Sequence, residues 1–296
     1  MKILNMGSAN LDHVYQVRHF IQPGETDAAL DYTIFPGGKG LNQSIAIARA
    51  GGQAFHTGAF GEGSRLLKEC LTASGVDISY AKDTSISQGH AIIQVNRQGE
   101  NCIIIYAGSN HELNQEYIDQ VLSRFGADTL LVLQNEINHL DYIIEKAHEL
   151  GMKILLNPSP MDEHMQKTDF NKVTWLILNE IEGEGITGYQ SHEEILRALH
   201  TRYPVTNIVL TLGKKGCLCI CDGNQISQKS YPVEAIDTTA AGDTFTGYLV
   251  ACIAEETPIA NALAYASAAA AISVTRKGAS SSVPYRKEVE EFLKSR

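Results

Sequence analysis

The chain has 296 residues, 44% of them hydrophobic and 20% charged, which is ordinary for a globular protein able to bury a sizeable core. Its formal net charge of −10 argues against general binding to nucleic acid or to an anionic membrane surface. It leaves room for a phosphate ligand held by local N–H groups and a few cations.

The run from Lys2 to Gly7 predicts a first buried strand, and its apolar part is far too short for the core of a signal peptide. Gly7-Ser8-Ala9-Asn10-Leu11-Asp12 then reads as a strand end carrying two short polar side chains, Asn10 and Asp12, which a turn would also explain. Ala28 to Ile34 alternates like a strand. Pro36-Gly37-Gly38-Lys39-Gly40-Leu41-Asn42-Gln43 is a glycine cluster entering a helix that ends at Gly51-Gly52, a pattern that lets a ligand approach backbone N–H groups closely. It is neither a Walker loop nor a dinucleotide fingerprint, because the glycine spacings differ and no Ser or Thr follows the Lys. Ala54 to Phe60 predicts another buried strand and Arg65 to Gly75 a helix closed by glycine. The intervening Gly58-Ala59-Phe60-Gly61-Glu62-Gly63 has the wrong spacing for a nucleotide loop and reads as a plain loop. Gly89–Val95 and Asn101–Tyr106 flank Asn96-Arg97-Gln98-Gly99-Glu100 as a hairpin, expected to join Ala28–Ile34 in a small sheet away from the main layer.

From about residue 112 the pattern becomes regular. Helical stretches 115–125, 140–150 and 192–202 precede apolar strands 129–133, 153–156 and 207–212, with a further strand at 175–178. This alternation predicts an α/β protein, a three-layer α/β/α sandwich around a mostly parallel sheet. Ligands of such sheets sit beyond the carboxyl ends of the strands, where Glu136, Asn157, Asn179 and Thr211 are expected to gather. The six cysteines lack zinc spacing. Cys217, Cys219 and Cys221 share one face of a predicted strand, too crowded for a tetrahedral metal site, so they read as packing in a reducing cytoplasm.

Ala235 to Gly247 reads as a tight turn feeding a helix. Ala240-Ala241-Gly242 offers almost no side-chain bulk, and Phe245, Tyr248, Leu249 and Cys252 follow at helical spacing. Asp243, in the first turn, is either a helix cap or a general base. A carboxylate beside an anion-binding helix end suits phosphoryl transfer to an alcohol: it takes the hydroxyl proton while N–H donors meet the moving charge. Helical stretches 244–255 and 258–275 come next. The run Ala260–Val274 is shorter than a membrane span and is interrupted by polar residues, so it predicts a buried helix. A polar loop from Arg276 to Ser282 precedes a charged terminal helix. No internal repeat or linker divides the chain, so residues 1–296 are expected to form one domain with a small β appendage.

Gly7-Ser8-x-Asn10-x-Asp12, Gly37-Gly38-Lys39-Gly40-x-Asn42-Gln43 and Asp237-Thr238-Thr239-Ala240-Ala241-Gly242-Asp243-Thr244-Phe245 occur in this order, followed by Val274 to Ala279 and Ser282-Val283-Pro284. Over essentially its whole length the chain resembles the ribokinase family of carbohydrate kinases. The resemblance implies transfer of the ATP γ-phosphoryl to a sugar hydroxyl, above all the 5-hydroxyl of D-ribose. It implies that Asn10, Asp12, Gly38, Lys39, Asn42 and Glu136 hold the sugar, that Asp243 is the base, and that N–H groups of Ala240, Ala241 and Gly242 form the anion hole. Asn179, Thr211, Gly213, Gly216, Gly242 and Ser267 would bind ATP. Glu182 would lie near Mg²⁺ through water. A potassium ion would take oxygens from Asp237, Thr239, Ser273, Arg276, Gly278 and Ser282. The β appendage, segments near 13–35 and 88–107, would be a lid over the sugar and the contact of a homodimer. Phe60-Gly61-Glu62-Gly63-Ser64-Arg65 departs from the family's usual Gly-Asp-Asp pattern, which leaves deoxyribose and other sugars open as substrates. A catalytically silent sugar sensor on the same scaffold has no need of the Asp243 base.

Overall fold

Ile3 and Leu4, adjacent in sequence, belong to different apolar clusters, and so do Leu130 and Leu131 and then Val132 and Leu133. This is the signature of a sheet covered on both faces, and it explains strands that read as unbroken apolar runs. The computed structural model describes residues 1–296. Its main sheet has eight strands in the order β14 (Asn224–Gln228), β13 (Cys217–Cys221), β12 (Asn207–Thr211), β11 (Trp175–Asn179), β10 (Lys153–Asn157), β9 (Thr129–Gln134), β1 (Lys2–Met6) and β4 (Ala54–Thr57). Pairing is parallel from β12 to β4 and antiparallel between β12, β13 and β14.

One face is covered by α1 (Lys39–Arg49), α2 (Arg65–Ala73), α7 (Ala241–Ala254), α8 (Ile259–Ser273) and α9 (Arg286–Lys294), through residues such as Ile45, Leu67, Leu249, Leu263 and Val289. The other is covered by α3 (Gln115–Leu122), α4 (Leu140–Glu149), α5 (Glu180–Thr187) and α6 (His192–Arg202), through Ile118, Ile143, Ile186 and Leu196. The expected mostly parallel α/β architecture is therefore present. No helix is long and apolar enough to cross a membrane, and Ala260–Val274 lies almost wholly in α8, as a buried helix.

A second sheet has the order β3 (Asp31–Gly37), β2 (Asn10–Gln16), β7 (His90–Val95) and β8 (Asn101–Tyr106). The hairpin formed by β7 and β8 falls where the sequence places it. Three local expectations need correction. Asn10 and Asp12 do not make a turn: they open β2, because the chain passes from the end of β1 directly into the second sheet. The strand expected at Ala28–Ile34 lies later, at Asp31–Gly37, since its pairing runs from Gln16↔Asp31 to Asn10↔Gly37. The single strand expected at Ala54–Phe60 is two, broken at Gly58. Its second part, β5 (Ala59–Glu62), pairs with β6 (Lys82–Ser87) in a two-stranded sheet, so Gly58–Gly63 is not a plain loop. Gly61 reads as a loop residue in sequence, but here it leaves room for a backbone. A Cβ there would stand 2.3 Å from the Ile86 carbonyl oxygen.

Candidate active site

Two helix starts converge. At the first, Gly38 adopts φ +90°, turning the end of β3 into α1, and a Cβ on Gly40 would stand 2.4 Å from the Ser8 nitrogen. Glycine is required for that approach. It seats the start of α1 against the carboxyl end of β1, where the Lys39 N–H donates to the Glu136 carboxylate at 2.9 Å and the Ser8 hydroxyl donates to the same oxygen. An acidic group at a helix N-terminus is favoured by the helix dipole.

At the second, Ala240 is held at φ +57° and α7 begins at Ala241. Asp243 lies in the first turn but makes no capping bond to its own helix. Its carboxylate accepts from two amides of α1 instead: Asn42 Nδ2 to Oδ2 at 3.0 Å and Gln43 Nε2 to Oδ1 at 3.0 Å. It is 7% exposed. The helix-cap reading is thereby set aside. The Ala241 N–H turns to the Thr238 carbonyl at 3.3 Å, whereas those of Gly242 and Asp243 have no partner in the chain. A Cβ on Gly242 would meet nothing within 4 Å, so the space before this helix end is open. That pairing of free N–H groups with open space is what an anion needs.

The side chains facing Asp243 form a charged basin. Burial, then Glu136 and Asp243, push the Asp12 carboxyl up to about 7. Burial also raises Glu136 above the ordinary carboxylate range, against the pull of Lys39. Burial works to lower Lys39, yet the carboxylates of Asp243, Glu136 and Glu182 outweigh it and hold the ammonium above its usual value. Asn10 is buried with its Oδ1 accepting from Asn110 Nδ2 at 2.7 Å. Asn42 Oδ1 is buried without a partner. Such an acceptor is costly to leave unsatisfied, and a ligand hydroxyl would satisfy it. Asn10, Asp12, Gly38, Lys39, Asn42, Glu136 and Asp243 thus lie near one another.

The strand-end residues align as the parallel register dictates, with Gln134 opposite Asn157 and Asn179 opposite Thr211. Asn179 caps α5 in a reciprocal box with Glu182, whose carboxylate also accepts from the Ser159 hydroxyl. Gly213 faces open space, but a Cβ on Gly216 would stand 2.0 Å from the Gln228 carbonyl oxygen, which gives that glycine a packing reason of its own. Ser267 is buried in α8 beside the Cys217 thiol, its hydroxyl otherwise unpaired.

The segments expected to hold a monovalent cation lie side by side. Asp237 Oδ2 accepts from the Gly278 N–H at 2.9 Å, Oδ1 accepts from the Thr239 N–H at 2.9 Å and its hydroxyl at 2.6 Å, and the Ile236 and Asp237 N–H groups both reach the Val274 carbonyl. Although partial burial opposes it, these donors keep the Asp237 carboxyl below its ordinary pKa and therefore ionised. The Arg276 guanidinium is engaged by Glu288 and the Ser282 hydroxyl by the Ala279 carbonyl. An oxygen-only donor set with one carboxylate suits a weakly held cation. No group of three or more His, Cys, Asp or Glu side chains is placed to hold a metal ion by itself.

Sequence reasoning missed Asn110, Gln134, Asn5 and the role of Gln43. Asn110 lies in a short 3₁₀ turn after β8 with no local motif to mark it. Gln43 was visible in the glycine-rich motif, but its partner Asp243 is 200 residues away.

The chain matches the pfkB family carbohydrate kinases over residues 2–286. It is 35% identical to a ribokinase of Haemophilus influenzae, covering 97% of each chain. It is 30% identical to a deoxyribokinase of Salmonella typhi, covering 99% of each. Its structure superposes with a TM-score of 0.88 on the Arabidopsis thaliana ribokinase complexed with ribose and ATP, at 27% identity and over 99% of this chain and 98% of that one. With the sheet, the two helix starts and the buried aspartate in place, the chain belongs to the pfkB family of carbohydrate kinases.

Proposed function

We propose that the protein is an ATP-dependent sugar kinase that transfers the γ-phosphoryl group to the 5-hydroxyl of D-ribose, giving ribose 5-phosphate. The observation that carries this reading is Asp243: a buried carboxylate in the first turn of α7, gripped by Asn42 and Gln43, beside the unpaired N–H groups of Gly242 and itself. Asp243 takes the proton of the attacking hydroxyl, and the N–H groups and helix dipole meet the negative charge of the moving phosphoryl. Asn10, Asp12, Gly38, Lys39, Asn42 and Glu136 pair the sugar's remaining hydroxyls. Lys39 also offsets the charge of three neighbouring carboxylates.

ATP lies along Asn179, Thr211, Gly213, Gly216, Gly242 and Ser267, with the open positions at Gly213 and Gly242 supporting close approach of phosphate. Magnesium, when bound, would neutralise charge on the phosphates, with Glu182, whose oxygens accept from Asn179 and Ser159, as the nearby carboxylate. Oxygens of Asp237, Thr239, Ser273, Arg276, Gly278 and Ser282 would hold a potassium ion, which would stiffen the turn that ends at Ala240. The four-stranded sheet is the lid over the sugar, and its outer face joins two copies into a homodimer. Six free cysteines support residence in the reducing cytoplasm.

The test is ATP turnover with Mg²⁺ against ribose, 2-deoxyribose, arabinose, fructose and adenosine, each with and without potassium, repeated with Asp243→Asn. Ribose-dependent turnover that rises with potassium and falls by at least about 10²-fold in Asp243→Asn is expected. Turnover with 2-deoxyribose alone would reassign the substrate. Sugar binding without turnover would make the protein a sensor.

A further inference from the structure

Gln43 is fully buried and contributes both a donor and an acceptor to a hydrogen-bonded set of side chains behind Asp243. Its amide nitrogen donates to Asp243 Oδ1 at 3.0 Å and to Asn157 Oδ1 at 3.2 Å, and its carbonyl oxygen accepts from Gln134 Nε2 at 2.8 Å. Gln134 Nε2 donates also to Asn5 Oδ1 at 3.0 Å. Asn5 Nδ2 donates to the Gly40 backbone carbonyl and to Ser44 Oγ, each at 2.8 Å. Asn157 Nδ2 donates to the Ile177 carbonyl at 3.0 Å. Gln134, Asn5 and Ser44 are all fully buried.

Backbone carbonyls accept and never donate, so Gly40 settles which end of the Asn5 amide is nitrogen, and Ile177 does the same for Asn157. Asn5 then settles Gln134, and Gln134 with Asn157 settles Gln43. A Gln43 amide turned the other way would set its oxygen against the Asp243 carboxylate and against Asn157 Oδ1, and its nitrogen against the Gln134 nitrogen. Three repulsive contacts in a buried site exclude that orientation.

We propose that Gln43 is a positioning residue for Asp243, locked as a donor by Gln134 and Asn5 on one side and Asn157 on the other. It holds the carboxylate toward the substrate hydroxyl. This rests on the reading of Asp243 as the base. Asp12 of β2, Glu136 beyond β9 and Lys39 of α1 face the same carboxylate. The effect is therefore read as the difference between wild type and variant on kcat at saturating sugar and ATP.

Gln43→Met keeps the length and removes the donor, and Gln134→Met removes the lock while leaving Gln43 in place. In each, kcat is expected to fall about 10–100-fold, the scale typical of losing an outer-shell partner, with KM for sugar and ATP changed less than about threefold. A purely structural role would instead shift KM and stability together with kcat. If either folded variant keeps kcat within about twofold while Asp243→Asn has lost turnover, the proposal for Gln43 is wrong and the base stands. If Asp243→Asn retains turnover, the base assignment falls and the proposal with it. Circular dichroism and sugar binding by calorimetry establish that each variant is folded, and Gln134→Met carries the test should Gln43→Met fail to fold.

Discussion

Asp12, a proposed sugar-binding residue, titrates at a cost to stability. Its carboxyl is pushed up to about 7 by burial and by Glu136 and Asp243. Between about pH 4 and pH 7 the folded chain therefore holds a proton that the unfolded chain has released, so this residue makes stability fall as pH rises through that window. Asp12→Asn removes the titration while keeping the shape. Its melting temperature at pH 8 is expected to exceed that of wild type by about 2 °C or more, with little difference at pH 4, and its KM for sugar to rise. Parallel melting curves at both pH values check this. An equal offset at pH 4 and pH 8 would show that packing, not charge, is responsible. Asp12 was legible in the sequence as a polar residue near a strand end. Its raised pKa was not, because Glu136 and Asp243 reach it only through the fold.

The contact between α1 and α7 is the element on which the site depends. A Cβ on Gly247 would stand 2.4 Å from Ala46 Cβ and 2.8 Å from the Gln43 carbonyl oxygen, so glycine is what allows the two helices to touch at this level. That contact brings Asn42 and Gln43 to Asp243. Gly247→Ala gains helix propensity but must part the helices, and overpacking of this kind costs about 1–3 kcal/mol. Urea unfolding is expected to register a loss of that size, and kcat to drop as the amides draw away from the carboxylate. Unchanged stability would mean that the helices can separate without strain. The helices themselves were plain from the spacing of Phe245, Tyr248, Leu249 and Cys252 and of Ile45 and Ala48. Their mutual approach was not, since a glycine in a helical run carries no mark of its partner.

At the scale of the molecule, the four-stranded sheet has two different faces. Register places Asp12, Phe35, Ala91 and Ile105 on one, and His13, Ile34, Ile92 and Ile104 on the other. The first face carries Asp12 and so borders the site. Both faces expose apolar side chains, Phe35 and Ile105 on the first and Ile34, Ile92 and Ile104 on the second, but only the second carries a cluster of rings in which His13 stacks on Tyr32 and meets His90 edge-on. An exposed apolar face of this kind on a four-stranded sheet matches the proposed homodimer contact. Ile104→Asp is expected to convert the dimer to monomer in sedimentation velocity and to raise KM for sugar, because the lid loses its support. A wild-type protein that sediments as a monomer at all concentrations would remove the proposed dimer.

The alternation of apolar strands and helices determined the layered architecture by itself, because a strand buried on both faces must be continuously apolar and a covering helix must show its own period. The sequence also determined which residue types could do the chemistry, since glycine clusters at helix starts and short polar side chains at strand ends are local signals. Tertiary structure alone decided that Asp243 is gripped by two amides of α1 instead of capping its helix, that Asn10 and Asp12 begin a strand, and that Gln43, Gln134 and Asn5 stand behind that carboxylate. Those facts depend on contacts between residues up to about 200 positions apart, and a hydrogen bond between distant side chains leaves no periodicity in the chain that makes it.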